Sequence, residues 1–467
     1  MEAGHYMPRQ ESRLSEEFAV INYPPQNWVA KSNCQFDVVI VGGGMAGLAA
    51  AFALRKMGIE RLQIYDKGIH GYEGPWLTYA HMPTLRSGKE LVGPALDVPA
   101  LTFRAWYTAK YGLKGWQNLS KIPTELWMGY LRWYQEALHL PVQNERTLKS
   151  IVPQTNGLLL QIDEEAITTQ KLVLATGRSG FGGVQIPAFI AELPKSAYGT
   201  CYEPINFADL RGKKLGIIGG GASGFDFAAT ALEEGVSSVE MILRRNQLPF
   251  INKNISNTYL GYVEGYYYLT DEKKWAFQME ASARGITPPV EALLRIAKQP
   301  NFKLYLGTTI EKGSWDGEKV HLTTSRDILT YDYILLATGF ETDGTKQAEL
   351  ASHMDKILLW RDREAGKDKQ DPLRFLNSPY LGPHFQFLEK EASSAPYLKD
   401  IYCFNYAATM SHGQISGDIP GIGIGAARLA RGIAIDLFTQ NPEPYFQRLK
   451  KFHVHEFDAK DFPFLRH

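Results

Sequence analysis

The chain has 467 residues, so we expect two or three packed units rather than a single hydrophobic core. Hydrophobic residues make up 44% and charged residues 21%, which is typical of a folded globular protein and not of a disordered one. Because 50 Lys and Arg balance 50 Asp and Glu, bulk charge gives no attraction to nucleic acid or to an anionic membrane.

Three cysteines, Cys34, Cys201 and Cys403, lie far apart and form no CxxC pair. Their number and spacing argue against a disulfide framework, a zinc site and the redox-active cysteine pair of disulfide reductases. We therefore predict a reducing, cytoplasmic location and no metal. The uncharged run 38–54 is interrupted by glycines, and the polar N-terminus has no signal-peptide pattern, so we expect no membrane segment.

The first recurring motif begins with a β-branched run at 38–41, which predicts a buried strand. GGGMAG at 42–47 follows and matches GxGxxG, the glycine pattern of a dinucleotide-binding turn. A helix is predicted over 48–57 with Gly58 at its C-cap, and a second strand is predicted at 62–65. Strand, glycine turn, helix and strand in this order indicate the start of a Rossmann-like unit.

Asp66 ends the second predicted strand of this unit. A carboxylate at that place accepts hydrogen bonds from a ribose with a free 2′-hydroxyl, which suits FAD or NAD. The predicted nucleotide contacts in the first motif are Gly42, Gly44, Met45, Ala46, Gly47, Asp66 and Lys67.

The second motif, KKLGIIGGGASGFDFAATALEEG at 213–235, has the same order of strand, glycines and helix, and it aligns with the first motif without a gap. The alignment puts Leu243 at the place of Asp66, and two arginines follow directly. Guanidinium groups in place of the acid predict a bound 2′-phosphate, and therefore NADPH rather than NADH. The predicted contacts are Gly219, Gly221, Ala222, Ser223, Gly224, Arg244 and Arg245.

Ala-Thr-Gly occurs twice, each time after an apolar run that predicts a strand. We interpret each as the closing strand of a nucleotide unit, where small residues let the turn pass close to the ligand. The predicted contacts are Ala175, Thr176, Gly177, Ala337, Thr338 and Gly339. The fold class is therefore α/β, with two Rossmann-like dinucleotide-binding domains whose parallel sheets are covered by helices.

The second of these domains is predicted to be inserted into the first. The expected limits are 1–194 for the N-terminal part of the FAD-binding domain, 195–331 for the NADPH-binding domain and 332–467 for the C-terminal part of the FAD-binding domain. The nicotinamide must reach the flavin ring, so we expect hydride transfer where these parts meet.

The segment 72–141 is dense in aromatic residues. We predict that most of these rings pack in the core and that a minority line an apolar pocket over the flavin. A second aromatic cluster, at 261–278, is expected to pack or to cover the nicotinamide.

The two GxGxxG units, the arginines after the second and the Ala-Thr-Gly after each resemble the class B flavoprotein monooxygenases. That family includes flavin-containing monooxygenases, Baeyer–Villiger monooxygenases and siderophore N-hydroxylases. The resemblance implies a resident FAD, NADPH as electron donor, and O2 that is activated at flavin C4a to oxygenate a small organic substrate. The segment 74–89 resembles the stretch along the isoalloxazine edge in that family, which implies flavin contacts at Trp76, Met82, Thr84 and Leu85.

One family fingerprint, FxGxxxHxxx(W/Y), is not matched, because Cys201 and Tyr202 stand where its histidine would fall. The departure disfavours a Baeyer–Villiger or a standard flavin-containing monooxygenase. The resemblance then implies a more distant branch of N- or ring-hydroxylases, with urate or another heterocycle among the substrates.

The block 404–438 holds the remaining candidates. Asp418 resembles the Gly-Asp carboxylate that holds the ribityl chain in such flavoproteins; the alternative is a turn or N-cap residue. A helix predicted over about 424–437 would point its N-terminus at the flavin pyrimidine. His412 and its neighbour Asn405 are the catalytic candidates, because a histidine that titrates near neutral pH could hydrogen-bond the oxygenated flavin or the substrate. The alternative for His412 is a structural histidine.

Two other functions stay open at this point. One is an NADPH-dependent flavin oxidoreductase that passes electrons to a quinone or a protein without oxygenation. The other is a nucleotide-binding redox sensor.

Overall fold

The computed structural model describes residues 7–363, 372–458, 461–462 and 464, without the side chains of residues 7–9 and 254. The α-helices of this part of the chain are α1 (Met7–Val20), α2 (Met45–Lys56), α3 (Phe103–Asn118), α4 (Thr124–Ala137), α5 (Ala188–Ala191), α6 (Ala222–Glu233), α7 (Leu260–Gly265), α8 (Asp271–Arg284), α9 (Val290–Ile296), α10 (Ala348–Ala351), α11 (Leu373–Leu376), α12 (Thr409–His412), α13 (Ile422–Gln440) and α14 (Glu443–Lys450). The strands are β1 (Phe36–Val41), β2 (Leu62–Tyr65), β3 (Val142–Gln143), β4 (Leu148–Gln154), β5 (Gly157–Ile162), β6 (Glu165–Leu174), β7 (Gly182–Val184), β8 (Tyr198–Thr200), β9 (Lys214–Ile218), β10 (Ser238–Ile242), β11 (Phe302–Tyr305), β12 (Ile310–Trp315), β13 (Val320–Thr324), β14 (Ile328–Tyr331), β15 (Tyr333–Leu336), β16 (Phe340–Thr342) and β17 (Ile401–Cys403).

The larger sheet takes strands from both ends of the chain. Its order is β3-β2-β1-β6-β5-β4, and β17 pairs with β6 outside this path. β1, β2, β6 and β17 are parallel neighbours, whereas β5 pairs with β6, and β4 with β5, in the antiparallel direction. The pairing of β17 with β6 brings the block that begins at residue 404 to the carboxyl end of β6, where the first Ala-Thr-Gly lies.

The second sheet has the order β11-β10-β9-β15-β8, and all its pairs are parallel. The predicted limit at residue 331 precedes β15, whereas β15 pairs with β9 and β8 in this second sheet. The division into domains stays a proposal, and strand pairing favours a limit after Leu336. The physical reason is that the closing strand must hydrogen-bond to the strand that carries the glycine turn.

The two connections between the sheets pair with each other. β7 follows the first Ala-Thr-Gly and β16 follows the second, and they form an antiparallel pair. A separate antiparallel sheet, β12-β13-β14, lies between β11 and β15 in the chain.

The helix α2 begins three residues earlier than predicted, at Met45, because the last residues of GxGxxG already form its first turn. The long helix α13 packs against α2, and both are rich in buried Ala and Gly, which allows close approach. Most aromatic residues of 72–141 are core residues, as predicted; the buried ones are Phe103, Trp106, Tyr107, Trp116, Trp127, Tyr130, Trp133 and Tyr134. Within the described ranges, no helix is both long enough and apolar enough to cross a bilayer.

Candidate active site

The first glycine turn is backed by the first Ala-Thr-Gly. Gly42 has a φ of +109°, and a Cβ there would lie 2.3 Å from the carbonyl oxygen of Ala175. A Cβ at Gly47 would lie 1.8 Å from the carbonyl oxygen of Gly42. Only glycine fits at these two places, so the sequence pattern reports a tight turn that is wedged between its own helix and the end of β6.

The second glycine turn repeats this geometry. Gly219 has a φ of +112°, and a Cβ there would lie 2.4 Å from the carbonyl oxygen of Ala337. A Cβ at Gly224 would lie 2.8 Å from the carbonyl oxygen of Gly219. Each Ala-Thr-Gly therefore supports the first glycine of its own turn, as the interpretation of the two closing strands requires.

The middle glycine of each turn faces open space. A Cβ at Gly44 would have the Cα of Gly74, 3.8 Å away, as its nearest neighbour, and a Cβ at Gly221 would meet none of the described atoms within 4 Å. Each of the two is the N-cap of its helix, and in the described part of the chain neither cap has a side-chain hydrogen bond. Helix N-termini that are open and uncapped in this way offer backbone N–H groups to an anion, so both turns fit the pyrophosphate of a dinucleotide.

Met45 and Ala46 form the start of the first helix, and Ala222 and Ser223 form the start of the second. Their backbone groups lie at the open N-termini, as predicted for pyrophosphate contacts.

The acid of the first unit is held in place by backbone donors. Asp66 is 8% exposed, its Oδ2 accepts a hydrogen bond from Gly43 N at 2.6 Å, and its Oδ1 accepts one from Gly68 N at 2.6 Å. A carboxylate has about four lone-pair sites, so both oxygens can accept further hydrogen bonds from a ribose. Lys67, the next residue, is exposed.

Leu243 takes the place of that acid in the second unit. A Cβ at Gly220 would lie 2.2 Å from Leu243 Cδ2, just as a Cβ at Gly43 would lie 3.2 Å from the Cβ of Asp66. The two side chains thus occupy equivalent positions beside their glycine turns, but leucine cannot accept a hydrogen bond. A ribose hydroxyl bound at the second unit would therefore find no carboxylate acceptor at this position.

The two arginines after Leu243 have different surroundings. Arg245 donates to the carbonyl oxygens of Ala283 at 3.1 Å and Ser282 at 3.4 Å, at the C-terminal end of α8. Arg244 is exposed and has no hydrogen bond or ion pair to any residue that the structure describes. Arg244 is therefore the arginine that can turn to a 2′-phosphate, whereas Arg245 holds α8 next to it.

Polar contacts join the first Ala-Thr-Gly to the block 404–438. Thr176 Oγ1 accepts a hydrogen bond from Asn405 Nδ2 at 3.1 Å. The Arg178 guanidinium lies 4.9 Å from the centre of the Tyr406 ring and 3.8 Å from Asp418 Oδ1. Burial raises the pKa of the Asp418 carboxyl, and the charge of Arg178 opposes this shift. These contacts join the first Ala-Thr-Gly, which backs the first glycine turn, to the block 404–438 that carries Asp418, and contact of Asp418 with a ribityl chain stays a prediction.

The residues predicted along the flavin edge divide into two pairs. Trp76 and Met82 are partly exposed, and the Trp76 ring packs edge-on against Trp127 at 6.2 Å. Leu85 is 1% exposed and belongs to the core. The Thr84 hydroxyl donates to Glu291 Oε2 of α9 at 2.6 Å, so it joins this segment to the second unit.

Comparison with known proteins agrees with this geometry. The profile of the pyridine nucleotide-disulphide oxidoreductase family matches residues 39–267. The chain is 36% identical over 416 residues to the FAD-dependent urate hydroxylase of Xanthomonas campestris pv. campestris, and the match covers 87% of each chain. The chain belongs to the flavoprotein monooxygenases.

Solved structures of similar fold support the architecture. An ornithine hydroxylase of Pseudomonas aeruginosa matches with a TM-score of 0.67 at 17% identity, covering 86% of this chain and 99% of that one. An L-lysine 6-monooxygenase of Pseudomonas syringae matches with a TM-score of 0.65 at 15% identity and the same coverage. The predicted fold class and the family resemblance are confirmed, and the findings agree with the prediction of FAD and NADPH as cofactors.

The three cysteines of this monooxygenase, Cys34, Cys201 and Cys403, are free. Burial raises the pKa of the Cys403 thiol to about 12, and it raises that of Cys201 further. A thiol with a raised pKa is a poor nucleophile, so the similarity to disulphide oxidoreductases concerns the nucleotide units and not a reactive cysteine pair.

His412 does not have the surroundings predicted for it. It is 0% exposed, its Nε2 is 3.0 Å from the carbonyl oxygen of Gly382, and its ring stacks between Phe385 and Tyr267. Burial, with a further contribution from Arg428, holds the pKa of His412 well below its usual value. This burial and the lowered pKa favour the structural alternative for His412, and a catalytic role for it stays a prediction.

Asn405 is likewise engaged with the protein. Its Oδ1 accepts from Ala407 N at 3.0 Å, and its Nδ2 donates to Thr176. At 1% exposure, it positions the first Ala-Thr-Gly. Its proposed role becomes that of a positioning residue rather than one that touches substrate.

The burial of His412 predicts a pH dependence of stability. Because the folded-state pKa is lowered, the unfolded chain binds the proton more readily, and the free energy of unfolding falls as the pH drops below about 6.5. One such group changes the free energy of unfolding by up to about 1.4 kcal/mol for each pH unit. We expect His412→Phe to remove this contribution, which urea unfolding at pH 7.5, 6.5 and 5.5 would measure. The exposed His455→Phe is the matched control, and equal slopes for the two variants would contradict the assignment.

Two functional candidates were missed in the sequence. Arg178 follows Ala175-Thr176-Gly177 directly, and extending that motif by one residue would have found it. Tyr202, in the place of the missing fingerprint histidine, has its ring 4.2 Å from Phe340 of β16, which follows the second Ala-Thr-Gly. Burial raises the pKa of Tyr202 to about 12, so the hydroxyl stays protonated.

Proposed function

We propose that this monooxygenase hydroxylates urate, or a closely similar planar heterocycle, with FAD as the resident flavin and NADPH as the electron donor. The proposal rests on the presence of two equivalent nucleotide-binding glycine turns, here called cradles. They differ at one place: Asp66 lies beside the first turn, whereas Leu243, followed by Arg244, lies beside the second. The 36% identical urate hydroxylase supports urate as the substrate. A cytoplasmic location fits the reduced state that three separate cysteines require.

The chain's own residues supply binding, orientation and electrostatics. The open helix N-termini at Gly44 and Gly221 hold the two pyrophosphates, and Asp66 holds the ribose of the flavin nucleotide. Arg244 pairs with the 2′-phosphate of the second nucleotide. A bound flavin would accept a hydride from NADPH and activate O2, so that, with one added proton, one oxygen atom would enter the substrate and the other would leave as water.

The start of α13 and Asp418 act near the flavin ring. The N-terminus of α13 begins at Ile422 and carries partial positive charge, which stabilises negative charge on a reduced flavin. Asp418, next to Arg178, orients the ribityl chain.

The test is urate-dependent oxygenation by the purified holoenzyme. With NADPH and ¹⁸O2, we expect one ¹⁸O atom in the product by mass spectrometry and one O2 consumed per urate. Peroxide formed in proportion to NADPH, with no urate consumed, would overturn the proposal and favour an oxidoreductase that only passes electrons on.

Arg244→Ala tests the choice of nicotinamide cofactor. The variant loses a charge-assisted hydrogen bond of about 1.5–3 kcal/mol, so we expect the KM for NADPH to rise at least about ten-fold while the KM for NADH changes little. Steady-state kinetics with both cofactors measures this. Arg245→Ala is the comparison, because Arg245 is engaged with α8 and its loss should affect both cofactors alike. Equal effects of Arg244→Ala on NADPH and NADH would contradict the 2′-phosphate assignment.

A further inference from the structure

A cavity of about 330 Å³ lies where the segment after the first nucleotide unit faces the second unit. Trp76, His81 and Met82 form one wall, and Thr230 of α6 and Arg295 of α9 form the opposite wall. Its volume falls in the range of small-molecule sites.

Two buried polar atoms at this cavity have no hydrogen-bond partner in the described part of the chain, namely His81 Nε2 and Arg295 Nη1. Buried polar groups nearly always have a partner, so two unpaired ones in one cavity point to a ligand that completes them. They come from different units of the protein, and a ligand held by both would lie across the interface.

Arg295 is fixed in place by its other nitrogens. Nε and Nη2 bind the Glu233 carboxylate at 2.9 and 2.5 Å, and Nη2 also donates to Thr230 Oγ1 at 3.0 Å. The guanidinium charge is thereby balanced, and Nη1 remains as an oriented donor. Recognition here depends on hydrogen-bond geometry more than on net charge.

His81 is held by aromatic contacts. Its ring packs edge-on against Phe227 at 4.3 Å and Phe207 at 5.1 Å. Burial and the nearby Arg295 lower the pKa of His81, so the imidazole is neutral and Nε2 can donate or accept according to the tautomer. The Glu125 carboxylate also lines the cavity and accepts hydrogen bonds only.

The cavity is next to the expected flavin position without being part of the nucleotide cradles. Among the described residues that line it, none belongs to the two glycine turns, the two Ala-Thr-Gly motifs or the block 404–438. It shares Trp76 and Met82 with the residues proposed along the flavin edge. A molecule inside it would therefore be separate from the nucleotides and adjacent to the flavin.

We propose that this cavity is the substrate pocket, in which a planar heterocycle with alternating C=O and N–H groups packs against Trp76, accepts a hydrogen bond from Arg295 Nη1 and pairs with His81 Nε2. The inference rests on the proposed function, since urate belongs to this chemical class. One donor oriented by Glu233, an exposed carboxylate at Glu125 and one histidine of either role match such a ring edge.

His81→Phe and Arg295→Lys test the pocket. Phenylalanine keeps the packing on Phe227 and removes the ring nitrogen, while lysine keeps the charge beside Glu233 and removes Nη1. We expect each variant to raise the KM for urate about ten-fold or more, with a similar rise in the Kd from titration of the oxidised holoenzyme. Arg211→Lys is the matched control, because Arg211 is exposed on the same unit beside Glu234 and does not line the cavity.

Flavin content and the melting temperature of each variant show whether the fold is intact. If the wild-type enzyme oxidises urate, and both variants keep a KM and a Kd for urate within two-fold of the wild-type values, the pocket assignment alone is overturned. A KM increase that comes with lost flavin or a lowered melting temperature in both variants would also overturn it, because the effect would then be structural. A wild-type holoenzyme with no urate-dependent O2 uptake would overturn the proposed function and this pocket with it.

Discussion

Gly44→Val is expected to give folded but colourless protein. Gly44 has φ −72° and ψ −175°, a conformation that valine adopts readily, and its Cβ would have no atom nearer than 3.8 Å. The side chain would instead fill the space at the helix N-terminus that the flavin pyrophosphate needs. The absorbance ratio of flavin to protein, together with circular dichroism and the melting temperature, measures the loss of FAD and the integrity of the fold.

Two further variants make this result specific. Gly265→Val places the same side chain where no described atom lies within 4 Å and outside both glycine turns, so it should keep its flavin. Gly42→Ala should misfold, because its Cβ would lie 2.3 Å from the Ala175 carbonyl oxygen at a φ of +109°. If the Gly44→Val protein is yellow and carries full flavin, the first glycine turn does not bind the flavin pyrophosphate as proposed.

Gly221→Val is expected to give yellow protein that NADPH cannot reduce. Gly221 has φ −75° and ψ 170°, and none of the described atoms lies within 4 Å of its Cβ, so the fold and the first cradle stay intact. The valine side chain would displace the second pyrophosphate from the start of α6. Losing two charge-assisted hydrogen bonds, at about 1.5–3 kcal/mol each, lowers NADPH affinity by at least about 100-fold.

Anaerobic stopped-flow reduction separates the two cradles. Gly221→Val flavin should be reduced by dithionite at the wild-type rate and by NADPH at least about 100-fold more slowly at a fixed low NADPH concentration. Normal NADPH reduction of this variant would show that the second turn does not hold the nicotinamide nucleotide.

The glycine turns could be predicted because their cause is local. Gly47 is required by the carbonyl oxygen of Gly42 in the same turn, Gly42 needs a positive φ, and the second motif repeats both conditions at Gly224 and Gly219. The pairing of each turn with an Ala-Thr-Gly far along the chain could also be inferred, since both motifs occur twice. Nucleotide choice followed from a single aligned position, Asp66 against Leu243.

The remaining features depend on contacts between distant segments. The different surroundings of Arg244 and Arg245 arise because α8, some 40 residues later, ends beside Arg245. His412 is neutral because Phe385 and Tyr267 enclose it, and the sequence around His412 does not predict contact with either ring. Likewise, Thr84 turns to Glu291 of α9, so a residue expected to touch the flavin contributes to the contact between units.

The position of β17 in the larger sheet sets an order of events during synthesis. The second sheet has all its strands once residue 336 has left the ribosome, whereas β6 still lacks its neighbour β17 and the block that carries Asp418. At about 5–20 residues per second, that block follows roughly 4–16 s later. Until β17 forms, the backbone groups of β6 that pair with it have no partner, and an unpaired strand edge can pair with other chains. We therefore expect FAD to be captured late in biogenesis, and a chain that stops before residue 401 to be both colourless and prone to aggregate.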